Sequence, residues 1–316
     1  MENIIIMPKN KNHIRFKGTN YEVIGKLKLD GHVYIIIEDF SNGNNSDHGV
    51  YKAIEPKMDR MTVIRWKKGS NYEERRLLHR AAENNPNLPT VLYHKKKAGK
   101  SYIVLPWIHG RSLRWYIDKA KQGKDQYRFH PEDAFHMTRK LTHGLLNLHR
   151  NRIIHGDLKP ENLIVQKPFR MIPIDFGISW TGEKANKRDY KSKTRRYCAP
   201  EQFKGGLVDS RADQFSISVV LYEMITLKLP YDDYGSEAAR YSSPKLKSSK
   251  KTNKASWSKL DTVLKRSLNL DPNKRYQTTQ DFLNALISAS PKSKKYTFSP
   301  LDKFIIKILK NLKLLN

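Results

Sequence analysis

Short runs of β-branched and aromatic residues dominate the chain from Tyr21 to Trp66 and predict β-strands. Gly, Asn, Asp and Ser separate these runs, as they do at tight turns. The runs are YEVIG, HVYIII, GVYKAI and MTVIRW, and SNGNNSDHG is the break before the third of them. A further run, SYIVLPWIHG, has the character of a buried strand that ends at Pro106. The first third of the chain is therefore predicted to form a β-sheet.

Helical spacing replaces this pattern in three segments. SNYEERRLLHRAAENNP offers Ser70 as an N-cap and stops before Pro86, so one short helix is expected here. PEDAFHMTRKLTHGLLNLHRN repeats apolar side chains every three or four residues, which predicts an amphipathic helix that starts at Pro131. DQFSISVVLYEMITL is apolar on nearly all sides, as in a helix buried inside a domain. The later part of the chain is therefore predicted to be mainly helical.

Composition limits the class of protein. A chain of 316 residues is long enough for two domains. Its 60 Lys and Arg against 31 Asp and Glu give a net charge of +29, which attracts nucleic acid, anionic lipid or acidic protein. Cys198 is the only cysteine, which excludes an internal disulfide and a multi-cysteine metal site and fits a reducing cytosol. The apolar run near the N-terminus is too short for a signal peptide, and none approaches the roughly 18 residues of a membrane span, so a cytoplasmic protein is expected.

The segment IIHGDLKPENLIV, at 153–165, places acids, a Lys and an Asn between apolar flanks. Transfer of the γ-phosphoryl group of ATP needs a carboxylate at the attacking hydroxyl, oxygen ligands for Mg²⁺ and cations on the phosphates. Asp157 can accept a hydrogen bond from a hydroxyl, Lys159 can reach a transferring phosphate, and Asn162 can offer an amide oxygen to a metal. Asp175 ends an apolar strand in IPIDFGIS, a natural position for a magnesium ligand. These four residues are the predicted catalytic and metal-binding set.

Five motifs in a fixed order resemble the eukaryotic-type, or Hanks-type, serine/threonine protein kinase family in a bacterial-like form. HGDLKPENL resembles the family's catalytic loop, DFG at 175–177 its magnesium motif, and APE at 199–201 the end of its activation segment. DSRADQFSISVVLYEMITLKLPY is similar to the family's buried central helix with its Asp213. DPNKRY offers Arg275 as the partner of Glu201. The resemblance covers about residues 30 to 288.

The resemblance implies a fold and its domains. The implied fold is α+β and two-lobed, with a small antiparallel β-sheet N-lobe that carries one helix and a larger, mainly helical C-lobe. The implied divisions are 1–105 for an N-terminal extension and the nucleotide-binding N-lobe, 106–108 for a hinge, 109–290 for the catalytic C-lobe, and 291–316 for a basic amphipathic tail.

The implied activity is phosphorylation of Ser or Thr in a protein substrate, with ATP and Mg²⁺ as cofactors. Lys159 together with Thr194 in TRRYCAPE resembles the pattern of serine/threonine rather than tyrosine specificity. Gly156 stands where many protein kinases carry an Arg that pairs with a phosphorylated activation loop. That phosphorylation switch is therefore expected to be missing.

The nucleotide-binding residues depart from the family pattern. GVYKAIEPKMDRMTVIRW aligns with the family's second and third strands and puts Arg65 where a phosphate-binding Lys is expected. Glu74 on the short helix is the candidate partner of Arg65, with Glu73 as the alternative, and GNNSDHG becomes the phosphate-covering loop. The hinge is where backbone groups usually meet adenine. The implied nucleotide-binding set is Gly43, Gly49, Val50, Arg65, Glu74 and, in the hinge, Trp107.

Three alternatives stay open at the level of sequence. A competing alignment makes GKLKLDGHV the phosphate-covering loop and Lys52 the phosphate-binding lysine. HGD also occurs in small-molecule kinases, although these lack Lys159, APE and Thr194. A pseudokinase scaffold that transfers little or no phosphate is the third alternative, and it is supported by Arg65 and the poor match of the glycine-rich loop.

Two basic segments are candidate partner-binding regions. YSSPKLKSSKKTNKAS, at 241–256, is rich in Ser and Lys and predicts a flexible loop. The tail at 298–316 has apolar residues on one face and Lys on or beside the other. It either lies on an anionic membrane surface, which would make the protein peripheral at a membrane, or packs against the helical lobe or a partner. No recognised nucleic-acid module appears, so nucleic acid is not an expected partner.

Overall fold

The structure, a computed structural model, describes most of the chain from residue 13 to residue 289. The described residues are 5–6, 13–41, 47–82, 85, 88–166, 170–176, 179–181, 196–204, 208–231 and 258–289. The chain divides into two compact units, Met1–His109 and Gly110–Asn316. The finer division, with a hinge at 106–108 and a separate tail from 291, stays a prediction.

Nine strands and one helix make up the described part of the first unit. The strands are β1 Ile5–Ile6, β2 His13–Phe16, β3 Thr19–Glu22, β4 Gly25–Leu29, β5 His32–Asp39, β6 His48–Glu55, β7 Arg60–Lys68, β8 Tyr93–Lys97 and β9 Lys100–Pro106, and the helix is α1 Tyr72–Ala82. One antiparallel sheet has the order β1-β4-β5-β6-β7-β9-β8, and β2 and β3 form a separate hairpin. The predicted strands are confirmed, except that YEVIG is divided between β3 and β4.

The seven-stranded sheet buries one face and curls strongly. Alternate residues of its strands form a single apolar cluster: Leu27, Leu29, Tyr34, Ile36, Ala53, Ile64, Trp66, Tyr102 and Val104. Although β8 is the last strand in the order and β4 and β5 are the second and third, side chains of β8 meet the β4–β5 turn. Tyr93 Oη donates to Asp30 Oδ2 at 2.7 Å, and Lys95 Nζ lies 2.7 Å from the same oxygen. Asp30 in the β4–β5 turn therefore ties the two ends of the sheet together.

Gly49 on β6 is required by packing. A methyl group added to it would lie 2.8 Å from Ser41 Oγ and 2.9 Å from Trp66 Cε2, closer than real side chains approach. We expect Gly49→Ala to lower the free energy of unfolding by about 1–3 kcal/mol, the usual cost of overpacking a core. Chemical denaturation monitored by circular dichroism measures this free energy of unfolding.

Trp66→Phe supplies the control for this prediction, because it removes the indole edge that faces Gly49. Trp66 Nε1 has no hydrogen-bond partner within the described residues, so the replacement breaks no bond there. Gly49→Ala should cost less in the Trp66→Phe background than in the native chain. An equal cost in both backgrounds would show that the indole is not the obstacle.

The second unit is mainly helical. Its helices are α2 Leu113–Lys121, α3 Pro131–Arg150, α4 Glu201–Lys204, α5 Ser210–Thr226, α6 Ser258–Ser267 and α7 Thr279–Ala289. Its short strands are β10 Arg111–Ser112, β11 Ile153–Ile154, β12 Leu163–Gln166, β13 Arg170–Pro173 and β14 Trp180–Thr181. Helix α3 packs against α5 and α7.

The two long helices agree with the sequence pattern. Helix α3 starts at Pro131 as predicted, and it buries its apolar stripe, Ala134, Met137, Leu141, Leu145 and Leu148. Helix α5 is buried from Ala212 to Ile225, and its N-cap Asp209 accepts a hydrogen bond from the Arg211 amide at 2.9 Å. A helix that is apolar all round forms the centre of the unit, as its sequence indicates.

Candidate active site

A buried aspartate of α5, Asp213, binds the backbone of the loop that follows β11. Asp213 Oδ2 accepts a hydrogen bond from the His155 amide and Oδ1 accepts one from the Gly156 amide, both at 2.9 Å. His149 Nε2 lies 2.9 Å from Asp213 Oδ2. Burial opposes ionisation of Asp213, but the hydrogen bonds from His149 and the Gly156 amide outweigh it and lower the pKa. A charged acid thus fixes the backbone that leads into Asp157.

Asp157 lies in this loop, and its two carboxylate oxygens have different surroundings. Oδ2 accepts hydrogen bonds from Lys159 Nζ at 2.9 Å and from Asn162 Nδ2 at 2.8 Å. Oδ1 is buried and has no hydrogen-bond partner within the described residues. Burial, which outweighs the nearby Lys159, raises the pKa of Asp157, and the charge of Asp175 adds to the rise. The carboxylate therefore has one anchored oxygen, Oδ2, and one oxygen, Oδ1, without a partner among the described residues.

Asn162 and Asp175 lie on neighbouring segments that are bonded to each other. The Ile174 amide donates to the Asn162 carbonyl at 2.8 Å, and Asn162 Nδ2 also donates to the Asp157 carbonyl at 2.9 Å. The amide nitrogen of Asn162 faces Asp157, and the roles of Asn162 and Asp175 on a metal stay predictions. Asp175 adopts a φ of +68°, a left-handed conformation that is uncommon outside glycine and is concentrated at functional sites.

His155 has a structural position between these segments. Its Nε2 donates to the Ile174 carbonyl at 3.2 Å, and its Nδ1 accepts from the Asp157 amide at 3.3 Å. A carbonyl only accepts and an amide only donates, so the ring is neutral, with its proton on Nε2. The ring also packs on Phe176, with centroids 4.7 Å apart. His155 therefore joins the Asp157 loop to the segment that leads to Asp175.

Arg65 and Glu74 form an ion pair in the first unit. Arg65 Nη1 lies 2.7 Å from Glu74 Oε1, and Glu74 is buried. The predicted pairing of these two residues is therefore confirmed, whereas the side chain of Glu73 lies outside the described residues. Val50 is directly opposite Arg65 in the β6–β7 register, so the two side chains share a face of the sheet. The roles of Val50, Arg65 and Glu74 on a nucleotide stay predictions.

The structure favours the alignment that uses Arg65. The competing loop, GKLKLDGHV, is the tight β4–β5 hairpin, whose turn residues Asp30 and Gly31 both have positive φ. Lys52 lies 3.6 Å from Glu38, and its Nζ is 4.3 Å from the centre of the Trp107 ring. Arg65, and not Lys52, is therefore the cation that pairs with Glu74 of α1.

The Trp107 side chain packs against other residues of the first unit. Its ring stacks on Phe40, with centroids 6.0 Å apart and planes 9° apart, and Lys52 lies over it. Its amide donates to the Met61 carbonyl at 3.1 Å. A nucleotide-binding role for Trp107 stays a prediction.

The segment that begins at 196 is anchored by a buried ion pair. Arg275 is fully buried and donates to Glu201 through Nη1 at 2.6 Å and Nη2 at 2.8 Å, which confirms the predicted partner. Gln202 joins the segment to the catalytic loop, because its Nε2 donates to the Gly156 carbonyl at 2.9 Å and its Oε1 accepts from the Ala199 amide at 2.9 Å.

One polar network of the second unit was not predicted from the sequence. Arg114 donates to Tyr197 Oη, to Glu161 Oε1 at 2.9 Å and to Glu223 Oε1 at 3.2 Å. Lys121 also donates to Glu223 at 2.7 Å. Burial opposes ionisation of Glu223, but Arg114 and Lys121 outweigh it and lower the pKa. The sequence feature that could have indicated this network is Glu223, the only acid in the apolar run VVLYEMI. A charged side chain that is buried needs a partner.

Several predicted features lie outside the described residues: Gly43, Gly177, Thr194, the basic loop at 241–256 and the tail at 298–316. Among the described helices none is long and apolar enough to cross a membrane. In the same part of the chain no group of three or more His, Cys, Asp or Glu is arranged to hold a metal ion.

Comparisons with known proteins agree with the motif order. A family model described as protein kinase domain matches residues 31–289. The serine/threonine-protein kinase PrkC of Bacillus subtilis is 25% identical over 271 residues, which are 82% of this chain and 40% of that protein. A probable serine/threonine-protein kinase of Clostridium perfringens is 29% identical over 276 residues, 84% of this chain and 39% of that protein. The chain thus spans about two fifths of the length of these curated relatives.

A solved structure shows the fold. The PK-1 kinase of the Cydia pomonella granulovirus superposes with a TM-score of 0.67 at 21% identity, covering 80% of this chain and 93% of that chain. The α+β fold predicted from the sequence, with an antiparallel sheet and one helix followed by a mainly helical part, is therefore confirmed.

Proposed function

The chain belongs to the protein kinase domain family, and on that premise we propose that it transfers the γ-phosphoryl group of ATP to Ser or Thr hydroxyls of protein substrates. The observation that carries the proposal is the asymmetric Asp157 carboxylate. Lys159 and Asn162 hold Oδ2, while the buried Oδ1 has no partner within the described residues. A hydroxyl that donates to Oδ1 would satisfy this oxygen and be oriented for attack.

Lys159 and Asp157 have complementary tasks in this proposal. Asp157 holds the substrate hydroxyl and takes its proton as the new O–P bond forms and the bond between the γ-phosphorus and the leaving ADP breaks. Lys159 is already bonded to Asp157, and it stabilises the negative charge of the transferring phosphoryl. Most of the catalytic effect then comes from positioning and charge, as expected for phosphoryl transfer.

Asn162 and Asp175 would hold magnesium. The residues fit this ion, which takes oxygen ligands and is usually bound by one or two carboxylates together with substrate phosphates and water. Asn162 has its Oδ1 free of the bonds that its amide nitrogen makes to Asp157. Magnesium would neutralise charge on the phosphates.

The Arg65–Glu74 pair would hold the α- and β-phosphates. We expect Arg65→Ala to lower kcat/KM for ATP by about 10²–10⁴, the loss of two charge-assisted hydrogen bonds at about 1.5–3 kcal/mol each. Steady-state kinetics with varied ATP measures this effect. Lys52→Ala is the matched control, because it removes the cation that the competing alignment would use. A larger loss in Lys52→Ala than in Arg65→Ala would reverse the alignment.

The proposed activity is tested by transfer of labelled phosphate from Mg-ATP to a mixture of basic and acidic proteins, followed by phosphoamino-acid analysis. We expect label on Ser or Thr that disappears in Asp175→Ala. A parallel reaction offers small alcohols and amines as acceptors. Label found only on these small molecules would make the protein a small-molecule kinase, and the absence of label from folded wild-type protein would refute phosphotransfer.

A further inference from the structure

Helix α1 has a second polar face that the proposed activity does not use. Glu74 points to Arg65, and Leu77 and Leu78 are buried in the core. Five other residues, at helical spacing, line a cavity of about 390 Å³ with three residues from β8 and the segment before it. The lining residues are Tyr72, Arg75, Arg76, His79, Arg80, Val91, Tyr93 and His94. This cavity, here the α1 basic cavity, has room for a small polar ligand.

The lining of the α1 basic cavity is strongly positive. Three arginines line it, and none of its described lining residues is Asp or Glu. A cavity with this lining attracts an anion.

Arg75 has an unused donor in this cavity. Its Nε is buried and has no hydrogen-bond partner within the described residues, and buried N–H groups without an acceptor are rare. Its Nη1 lies 3.5 Å from His94 Nδ1, and its guanidinium is 5.2 Å from the centre of the Tyr72 ring. The ring and the histidine fix the guanidinium while Nε is left for a ligand.

His94 provides a second hydrogen-bond donor beside Arg75 in the α1 basic cavity. Burial, Arg75 and Lys95 lower its pKa, so the ring is neutral near pH 7. A neutral ring that accepts from Arg75 at Nδ1 carries its proton on Nε2, which can donate to an anion. Tyr72 and Val91 add apolar surface beside these donors, so the ligand should carry carbon next to its charge.

We propose that the α1 basic cavity binds a phosphate monoester, held by the guanidinium of Arg75 and by His94. Guanidinium groups match the oxygens of phosphate in a fork geometry, and the surrounding arginines suit a ligand with close to two negative charges. The inference does not depend on phosphotransfer, since the cavity shares no lining residue with the Asp157 loop or with the Arg65–Glu74 pair.

The test is isothermal titration calorimetry on the full chain, without ATP or magnesium. The probes are a phosphothreonine peptide with apolar flanking residues, the same peptide without phosphate, and inorganic phosphate. We expect the phosphopeptide to bind at least ten times more tightly than the unphosphorylated peptide. Arg75→Gln should weaken phosphopeptide binding at least tenfold. Arg15→Gln, which removes an exposed arginine from β2, should change it less than twofold.

His94→Gln keeps the inference testable if Arg75→Gln fails to fold, and it should weaken phosphopeptide binding several-fold. Phosphopeptide binding much tighter than that of inorganic phosphate assigns the ligand to a modified protein. Equal binding of the two phosphates assigns it to a free small anion in the same cavity. Unchanged binding in both Arg75→Gln and His94→Gln, or an equal loss in Arg15→Gln, would overturn the proposal, because the affinity would then reflect net charge alone.

Discussion

Asp157→Asn is expected to lower kcat for phosphotransfer by about 10²–10⁴ while leaving nucleotide affinity nearly unchanged. The replacement keeps the shape of the side chain but removes the charge that Lys159 binds at 2.9 Å. It also removes the basicity of the buried Oδ1, which would take the hydroxyl proton. Steady-state kinetics gives kcat, and titration with Mg-ATP gives the affinity.

Asp125→Asn is the matched control for this experiment. Asp125 is an exposed aspartate of the second unit, so the same chemical change there should leave kcat within twofold. Thermal unfolding of both variants checks that they are folded. Full turnover in Asp157→Asn would remove Asp157 from the mechanism and with it the proposed function. A loss of nucleotide affinity equal to the loss of kcat would instead show that Asp157 acts in binding.

The local parts of the fold could be predicted because their signals lie close together in the sequence. Apolar spacing and a proline locate α3 at Pro131, and a uniformly apolar run identifies α5. The proposed catalytic residues Asp157, Lys159 and Asn162 lie within six positions, and one loop brings them together. Glu74 follows Arg65 by nine residues, and a single strand-to-helix connection joins them.

The parts that escaped prediction depend on partners far apart in the chain. Tyr93 meets Asp30 across 63 residues, and Arg114 meets Glu223 across 109. Strand periodicity does not say how far a sheet curls, and a charge in an apolar helix does not name its partner. Gly49 shows a different limit of sequence analysis, because one glycine can be explained in more than one way. Its sequence context indicates a phosphate-covering loop, and that role stays a prediction. The close approach of Ser41 and Trp66 is a separate packing reason for the glycine.

The Glu201–Arg275 pair was predicted across 74 residues only through the family resemblance. Its surroundings explain why it should matter. Arg275 is fully buried, and it also donates to the Asn269 carbonyl at 2.7 Å and the Arg211 carbonyl at 3.0 Å. One guanidinium therefore joins three segments of the second unit. Removing it takes a donor from the acid and from three carbonyls, that of Leu270 included.

Arg275→Met is accordingly expected to lower the free energy of unfolding by about 3–5 kcal/mol, the usual cost of breaking one side of a buried ion pair. Urea denaturation of the full chain, monitored by circular dichroism, measures this. Lys274→Met, at the exposed neighbouring position, should change stability by less than about 0.5 kcal/mol.

The double variant Arg275→Met, Glu201→Leu separates the charge from the packing. It leaves no unpaired carboxylate, so it should be more stable than Arg275→Met alone by about 1–3 kcal/mol. If the double variant is instead the less stable of the two, Glu201 stabilises the second unit without Arg275. The ion pair would then not be the anchor of the segment that follows residue 196, and the carbonyl bonds of Arg275 would account for its burial.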